Sequence, residues 1–394
     1  MPQLDDLFAA RARALPPPIF GPGMPDGPDA PISLAYGYAD PQLFPRAGLL
    51  AATAAVLEHD AALALNYGDD FAGLRELVAG RLRAEGVEAD DPNIIVTYGS
   101  SQILALLPQL FVEPGDTVLI EGPSFMGAVR RFADAGAQLV TVPTDAQGMD
   151  VDALEAALRA LRARGTRAKF IYTIPTFHNP TGATMPLARR QQLVALGAEY
   201  GVVIVEDDAY GDLRFEGRPL PSLAALDQAG WVIRTGTFSK ILAPGVRVGW
   251  AYARPELITR FHAFKVEGPS GPFLTRVVAH YCAEGRLEAH IQQLIAHYRH
   301  KRDVMLAAIA REFPAETVVL HPEGGFFVWC RLPQGIRAEA LLQQAEHNGA
   351  LFVPGTRCFA NGTGDDAIRL AFSFQPAERI AEGIARIGAA MRSL

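Results

Sequence analysis

One lysine lies in a segment that could do covalent chemistry, Thr237-Phe-Ser-Lys-Ile-Leu-Ala-Pro-Gly-Val-Arg-Val-Gly249, directly after a predicted strand over Trp231–Thr235. Lys240 follows small hydroxyl side chains at the third and first positions before it, and Arg247 comes seven positions later. A primary amine can form an imine with an aldehyde, while hydroxyl and guanidinium donors suit a nearby anion. Only four of the 36 basic residues can supply such an amine, namely Lys169, Lys240, Lys265 and Lys301. A surface lysine in a polar loop is the alternative interpretation of this segment alone.

Two further polar segments follow predicted strands. Glu206-Asp207-Asp208-Ala209-Tyr210 begins where the apolar run Val202–Val205 ends, and Asp207 precedes the lysine by 33 residues. A carboxylate there could hold a proton on a pyridine nitrogen, and Tyr210 could reach the same ring from the side. In Pro175-Thr-Phe-His-Asn-Pro-Thr-Gly182, Asn179 offers an amide to a phenolic oxygen. Taken singly, each segment is also typical of an ordinary strand end or turn.

Together and in this order, the three segments resemble those of the pyridoxal-phosphate enzymes of fold type I, specifically the class I/II aminotransferases. The subgroup that contains 2-aminoadipate and kynurenine aminotransferases is the most similar. The resemblance runs from about Ile32 to the C-terminus and includes Ile32-Ser-Leu-Ala-Tyr-Gly37 and Leu43-Phe-Pro45. It implies that pyridoxal 5'-phosphate is the cofactor and that an amino group moves between an α-amino acid and a 2-oxo acid by ping-pong kinetics.

The resemblance also implies the residues that bind the cofactor. Lys240 is expected to bind it covalently and then to act as general base at the substrate Cα. Asp207 is expected at the pyridinium nitrogen, and Tyr210 and Asn179 at the 3-oxygen. Phe125, in Glu121-Gly-Pro-Ser-Phe, matches the aromatic residue that stacks on the ring. The expected phosphate donors are Ser100, Ser101, Thr237, Ser239 and Arg247, the first two in Thr97-Tyr-Gly-Ser-Ser-Gln102 before a helix predicted to begin near Ile103.

Substrate-binding residues are implied in the same way. Arg369, in Ala367-Ile-Arg-Leu-Ala-Phe-Ser373, is expected to bind the α-carboxylate, because a planar fork of donors forms two parallel hydrogen bonds. Asn179 and the backbone of Gly37 are expected beside the same carboxylate. The substrate side chain is predicted to contact aromatic residues, which favours an apolar or aromatic amino acid over a dicarboxylic one. These aromatic residues are Tyr36, Tyr38 and Phe359.

The neighbouring subunit is a further expected partner. Tyr67, in Asn66-Tyr-Gly68, resembles the tyrosine that reaches the phosphate of the neighbouring subunit, which implies a homodimer with shared active sites. In the 2-aminoadipate subgroup a short N-terminal helix with an arginine often contacts the substrate side chain. Here Pro16–Pro31 is too rich in proline and glycine for that helix and contains no arginine, and Arg11 and Arg13 lie just before it.

The elements that must position these residues predict an α/β fold with a mostly parallel, seven-stranded sheet between helices, followed by a smaller α+β domain. The expected domains are an N-terminal arm (1–45), a large cofactor-binding domain (46–275) and a small C-terminal domain (276–394). The predicted strands of the large domain are Ile94–Thr97, Thr117–Glu121, Gln138–Val142, Lys169–Ile174, Val202–Glu206, Trp231–Thr235 and Arg247–Tyr252. The small domain is predicted to contain helical sequence over Arg276–Phe313, strands Thr317–Leu320, Gly325–Arg331 and Ile368–Phe372, and a final helix Ala377–Met391.

Composition limits the remaining possibilities. Of 394 residues, 49% are hydrophobic and 20% charged, which excludes intrinsic disorder, and a net charge of −7 argues against a nucleic-acid surface. We expect no membrane span, no metal site and no secretory signal, and three widely spaced cysteines indicate a cytoplasmic protein. A β-lyase for cystathionine-like substrates is the alternative enzyme. An aminotransferase-like transcription regulator is a remote alternative, because no helix-turn-helix pattern precedes the large domain.

Overall fold

The structure is a computed structural model that describes residues 4–8, 13, 30–266 and 268–394. Arg11 and residues 16–29, about which the sequence raised a question of substrate contact, lie outside the described residues. The strands are β1 (Ile32–Ser33), β2 (Ile94–Thr97), β3 (Thr117–Gly122), β4 (Gln138–Asp145), β5 (Gly148–Met149), β6 (Phe170–Thr173), β7 (Val203–Asp208), β8 (Val232–Thr237), β9 (Gly249–Tyr252), β10 (Val318–Val319), β11 (Phe327–Arg331), β12 (Ala350–Leu351), β13 (Val353–Pro354) and β14 (Ala367–Ala371). The α-helices are α1 (Arg46–His59), α2 (Ala61–Ala64), α3 (Ala72–Ala84), α4 (Ser100–Phe111), α5 (Met126–Asp134), α6 (Val151–Ala163), α7 (Leu187–Tyr200), α8 (Leu223–Leu226), α9 (Pro255–Phe264), α10 (Pro272–Cys282), α11 (Arg286–Glu312), α12 (Ala338–His347) and α13 (Ala377–Arg392).

The large sheet has the strand order β2-β9-β8-β7-β6-β3-β4-β5. Strands β8, β7, β6, β3 and β4 pair in parallel, whereas β9 runs antiparallel to both of its neighbours. All seven predicted strands are present, and the two-residue β5, which pairs antiparallel with β4, adds an eighth. Every residue of β2, β3, β6 and β8 is buried, as expected for strands covered on both faces. The carboxyl ends of β6, β7 and β8 meet at one edge of the sheet.

A second sheet forms the core of the smaller C-terminal domain, with antiparallel strands in the order β10-β11-β14-β13. The N-terminal segment joins this domain, because β1 pairs in parallel with β12 and the amide of Ala371 donates to the carbonyl of Leu34. These bonds place the backbone of Leu34 beside β14, and Ala35 follows it. Arg369, which the sequence predicted as a substrate ligand, lies in the middle of β14, between Trp329 and Val353 in register.

The long helical region that the sequence predicts over Arg276–Phe313 consists of two helices. α10 ends at Cys282 and α11 begins at Arg286, because Glu284 and Gly285 have left-handed backbone angles (φ 59° and 73°). α11 packs along α13, where a Cβ on Gly388 would lie 2.5 Å from the carbonyl oxygen of Glu312, so this close crossing requires glycine. Among the described residues, the structure contains no helix of the length and apolarity that crossing a membrane requires.

Candidate active site

Lys240 lies just beyond the carboxyl end of β8, and its amine faces the N-terminal segment. Its Nζ donates a hydrogen bond to the carbonyl oxygen of Gly37 at 2.8 Å and lies 5.4 Å from the ring centre of Phe326. Burial and, to a smaller extent, the positive charges of Arg369 and Arg247 together lower the pKa of Lys240 to about 8. At neutral pH a larger fraction of this amine is therefore neutral and nucleophilic than for an ordinary lysine.

The two carboxylate oxygens of Asp207, on β7, differ in their hydrogen bonding. Oδ2 accepts a hydrogen bond from the hydroxyl of Tyr172 at 2.5 Å, whereas Oδ1 is buried without a hydrogen-bond partner among the described residues. Burial raises the pKa of Asp207 to about 6, although the hydrogen bond from Tyr172 acts in the opposite direction. Buried polar atoms are almost always paired, so Oδ1 calls for a donor from a bound group. A protonated pyridine nitrogen fits this requirement.

Arg369 connects both domains at the site. Its Nη1 donates to Oδ1 of Asn179 at 3.0 Å and its Nη2 to the carbonyl oxygen of Ala35 at 2.6 Å, while its buried Nε has no partner among the described residues. The guanidinium lies over the ring of Phe327, 4.4 Å from its centre. Tyr210 completes the group, because the side chain of Asn179 hydrogen-bonds its hydroxyl, whose pKa burial raises. The structure thus brings Arg369, Asn179 and Tyr210 together.

The predicted phosphate donors lie around the N-terminus of α4. This helix begins at Ser100, three residues earlier than predicted, so both serines belong to its first turn. Nη2 of Arg247 lies 3.1 Å from Oγ of Ser101, and Oγ1 of Thr237 lies 2.9 Å from Oγ of Ser239. A helix N-terminus together with hydroxyl and guanidinium donors favours a dianion.

A glycine of β9 brings the donors at the start of α4 close to the donors that follow β8. Gly249 pairs with Thr97 on one side and with Thr237 on the other. A Cβ on Gly249 would lie 2.5 Å from the backbone nitrogen of Ser100, so only glycine permits this approach of β9 to the loop. The loop geometry and the donor types therefore fit the phosphate of pyridoxal phosphate.

The predicted aromatic residues lie on two sides of the site. The rings of Tyr36 and Tyr38 stack with their centres 5.3 Å apart, and Phe374 contacts Tyr38 edge-on at 6.1 Å. On the other side, Phe125 precedes α5 and is partly buried, and the amide of Ser124 donates to the carbonyl of Cys358 at 2.8 Å, which places Phe359 next to this loop. Tyr67 differs from all of these residues, because its side chain is fully exposed.

No sequence motif assigned a role to Tyr172 or His178. Tyr172 lies on a fully buried strand, and a buried tyrosine hydroxyl needs a partner, which is the signal that could have drawn attention to it. His178 is buried with its Nε2 3.1 Å from Oε2 of Glu121. Glu121 also accepts hydrogen bonds from Thr173 and from the amide of Ile174. This pair supports the loop that carries Asn179.

Fold and site together define a pyridoxal-phosphate enzyme of fold type I. Residues 45–387 match the family described as Aminotransferase class I and II, and the chain belongs to that family. It is 40% identical over 361 residues to aromatic-amino-acid aminotransferase 1 of Thermococcus litoralis, covering 90% of this chain and 87% of the relative. It is 38% identical over 373 residues to 2-aminoadipate transaminase of Thermus thermophilus, covering 92% and 90%.

A solved structure extends the likeness to the whole described fold. The kynurenine aminotransferase of Pyrococcus horikoshii, crystallised with PMP, kynurenine and its product, superposes with a TM-score of 0.93 at 34% identity and covers 99% of this chain and 98% of that one. The predicted family, fold class, cofactor and reaction are confirmed. The chain is a pyridoxal-phosphate-dependent aminotransferase that moves an amino group between an amino acid and a 2-oxo acid.

Proposed function

We propose that this aminotransferase acts on α-amino acids with aromatic or other apolar side chains. The observation that carries the proposal is the stacked pair Tyr36 and Tyr38, which flanks the Gly37 carbonyl that accepts a hydrogen bond from Lys240. A flat aromatic surface therefore lies next to the reactive amine, where a substrate ring can stack on it. The aromatic-amino-acid and kynurenine enzymes among the relatives support the same choice.

Each polar residue of the site has a distinct proposed role. Pyridoxal phosphate, when bound, supplies an electron-withdrawing ring that stabilises negative charge at the substrate Cα. Lys240 removes the proton from Cα of the amino donor and, in the second half-reaction, delivers a proton to Cα of the acceptor, for which a pKa lowered to about 8 suits an amine at neutral pH. Asp207 holds the proton on the ring nitrogen through Oδ1, and Tyr210 and Asn179 hydrogen-bond the 3-oxygen. Arg369 orients the substrate by its α-carboxylate.

The remaining predicted residues hold the cofactor in place. Phe125 stacks on the ring, and the backbone at the start of α4 accepts the phosphate together with hydroxyl and guanidinium groups. Because Arg247 already lies within hydrogen-bond distance of Ser101, both can turn to the same phosphate oxygens without moving the loop. The proposed phosphate donors are Ser100, Ser101, Thr237, Ser239 and Arg247.

We also infer that the active unit is a homodimer in which Tyr67 reaches the partner's phosphate. Tyr67 is fully exposed, and further large apolar side chains on α1, α2, the loop after α2 and α10 are exposed near it. These side chains are Leu50, Leu57, Leu63, Leu65 and Leu274. A second copy of this chain would bury them. The three cysteines are unpaired and buried, which supports a reducing, cytoplasmic location.

A panel of amino donors tests the substrate class. With 2-oxoglutarate as the acceptor, kcat/KM for phenylalanine, tyrosine and kynurenine should exceed that for aspartate by about tenfold or more, since only the former can stack on an aromatic surface. Tyr38→Ala should reduce the rates with aromatic donors more than the rate with alanine, which serves as the matched control. Highest activity with aspartate or 2-aminoadipate would contradict the proposal, and release of pyruvate from cystathionine would favour the β-lyase alternative.

A further inference from the structure

We infer that Tyr172 is a positioning residue for the cofactor, because it fixes the carboxylate of Asp207 so that Oδ1 meets the ring nitrogen. The inference rests on the proposed assignment of Asp207 to that nitrogen. Nothing in the sequence motifs points to Tyr172, which lies one strand away from Asp207 on β6. Its hydroxyl donates to Oδ2 at 2.5 Å, and this bond joins two fully buried side chains.

The position of the Tyr172 hydroxyl is tightly determined by its surroundings. The ring is fully buried, and Phe132 of α5 packs against it edge-on with the ring centres 5.5 Å apart. β6 and β7 pair in parallel with Tyr172 opposite Val205, two residues before Asp207. Because packing and the sheet register hold the tyrosine ring, its hydroxyl can donate a hydrogen bond to Asp207 from one position only. It therefore also determines which oxygen of Asp207 stays free.

The charges around Asp207 disfavour its ionised form, and the hydrogen bond from Tyr172 counteracts them. Asp208, its chain neighbour, and Glu121 of β3 are negative, and both oppose ionisation of Asp207. Burial acts in the same direction, whereas the hydrogen bond from Tyr172 favours the ionised form. Tyr210, in the following loop, interacts electrostatically with Asp207, and Arg131 of α5 interacts in the same way with Tyr172. Without the hydroxyl, the pKa of Asp207 should rise and its hold on a protonated nitrogen should weaken.

The test compares two cofactors on the cofactor-free protein. Tyr172→Phe removes one hydroxyl and keeps the ring. The dissociation constant for pyridoxal phosphate should rise about 5- to 50-fold, as expected when an ionised group loses a buried hydrogen bond. For 1-deazapyridoxal 5'-phosphate, which has carbon in place of the ring nitrogen, it should stay within about twofold, because Asp207 has no proton to hold there.

Tyr252→Phe is the matched control. The hydroxyl of Tyr252 donates to the carbonyl of Glu88, at the end of β9 opposite Gly249. This variant should leave both dissociation constants unchanged. In the loaded enzyme, Tyr172→Phe should lower kcat about tenfold or more with KM within about twofold. Equal weakening of both cofactors, or weakening of neither, would overturn the inference.

Asp207→Asn separates the inference from the proposal on which it rests. One outcome is that Asp207→Asn raises the dissociation constant for pyridoxal phosphate but not that for the deaza analogue, while Tyr172→Phe shows no such difference. In that case Tyr172 does not act through Asp207, and the inference alone fails. If Asp207→Asn does not distinguish them either, the assignment of Asp207 to the ring nitrogen fails as well. If both variants weaken the binding of pyridoxal phosphate more than that of the deaza analogue, and Tyr172→Phe does so to a smaller extent, the result supports both the inference and the assignment of Asp207.

Discussion

The guanidinium of Arg369 donates to Oδ1 of Asn179 at 3.0 Å, and this bond links β14 of the smaller domain to the loop after β6 of the large sheet. The same guanidinium donates to the carbonyl of Ala35 in the N-terminal segment. Three parts of the chain that are distant in sequence therefore meet at one positive group. A substrate carboxylate bound to this guanidinium, as proposed, would lie where these three parts of the chain meet.

Arg369→Ala should weaken every α-amino acid substrate alike and leave cofactor binding nearly intact. The loss of a charge-assisted, bidentate contact in a buried site predicts a fall in kcat/KM of roughly 30- to 1,000-fold. Arg369→Lys should restore only part of this, because a point charge cannot supply the planar fork. Steady-state kinetics with several donors and a cofactor titration measure both effects. Release of the cofactor, or loss of activity with one amino acid only, would show that this arginine meets another anion.

Arg247→Ala should instead weaken cofactor binding through the phosphate. Nη2 of Arg247 lies 3.1 Å from Oγ of Ser101 at the start of α4, where the phosphate is proposed to bind. The dissociation constant for pyridoxal phosphate should rise about tenfold or more, whereas the weak binding of pyridoxal, which lacks the phosphate, should change little. Fluorescence titration of the cofactor-free variant gives both values. Equal weakening of the two ligands would mean that Arg247 has a structural role instead.

The capture of pyridoxal phosphate by the cofactor-free protein should depend on pH through Lys240. Only the neutral amine attacks an aldehyde, and burial lowers the pKa of Lys240 to about 8, so the rate should rise with pH and level off just above this value. Arg369→Gln removes a positive charge that lowers this pKa, and the midpoint should therefore move to higher pH. Stopped-flow absorbance measures the rate. A midpoint near that of an ordinary lysine in the unaltered protein would contradict the proposed environment of the amine.

Tyr67→Phe should raise the dissociation constant for pyridoxal phosphate about three- to tenfold, because the hydroxyl that reaches the partner's phosphate is lost. The exposure of Tyr67 means that its removal should not alter the stability of the single chain. Sedimentation of the unaltered enzyme should give the mass of a dimer. A fully active monomer, or a Tyr67→Phe protein that binds the cofactor as tightly as before, would remove the basis for shared sites.

The sequence predicted the large sheet well because strands buried on both faces appear as short, continuous apolar runs. It did not predict β1, β5, β12 and β13, each of which has only two residues and so forms no pattern by itself. The break between α10 and α11 was missed for a different reason. Gly285 lies between two strongly helical stretches, and only the backbone angles show that the chain turns there.

The site was predictable to the extent that its residues lie in motifs, as Lys240, Asp207 and Asn179 do. Tyr172 was not, because its inferred role comes from the pairing of β6 with β7 and from the packing of Phe132 against its ring. The contact of Lys240 with the carbonyl of Gly37 also could not be predicted, since it joins positions 203 residues apart and involves no side chain of the second residue.

Borohydride reduction of the loaded enzyme, followed by peptide mapping, tests most directly the claim that Lys240 is the residue that binds the cofactor covalently. The chain has only four lysines. In the structure, the other three each pair with a carboxylate: Lys169 with Asp116 at 3.1 Å, Lys265 with Asp70 at 3.2 Å and Lys301 with Asp40 at 2.5 Å. Among the described residues, no carboxylate forms such an ion pair with Lys240, whose pKa is lowered to about 8. We expect the cofactor on Lys240 alone, with no labelling in Lys240→Ala, whereas labelling at Lys169, Lys265 or Lys301 would contradict the assignment of the site.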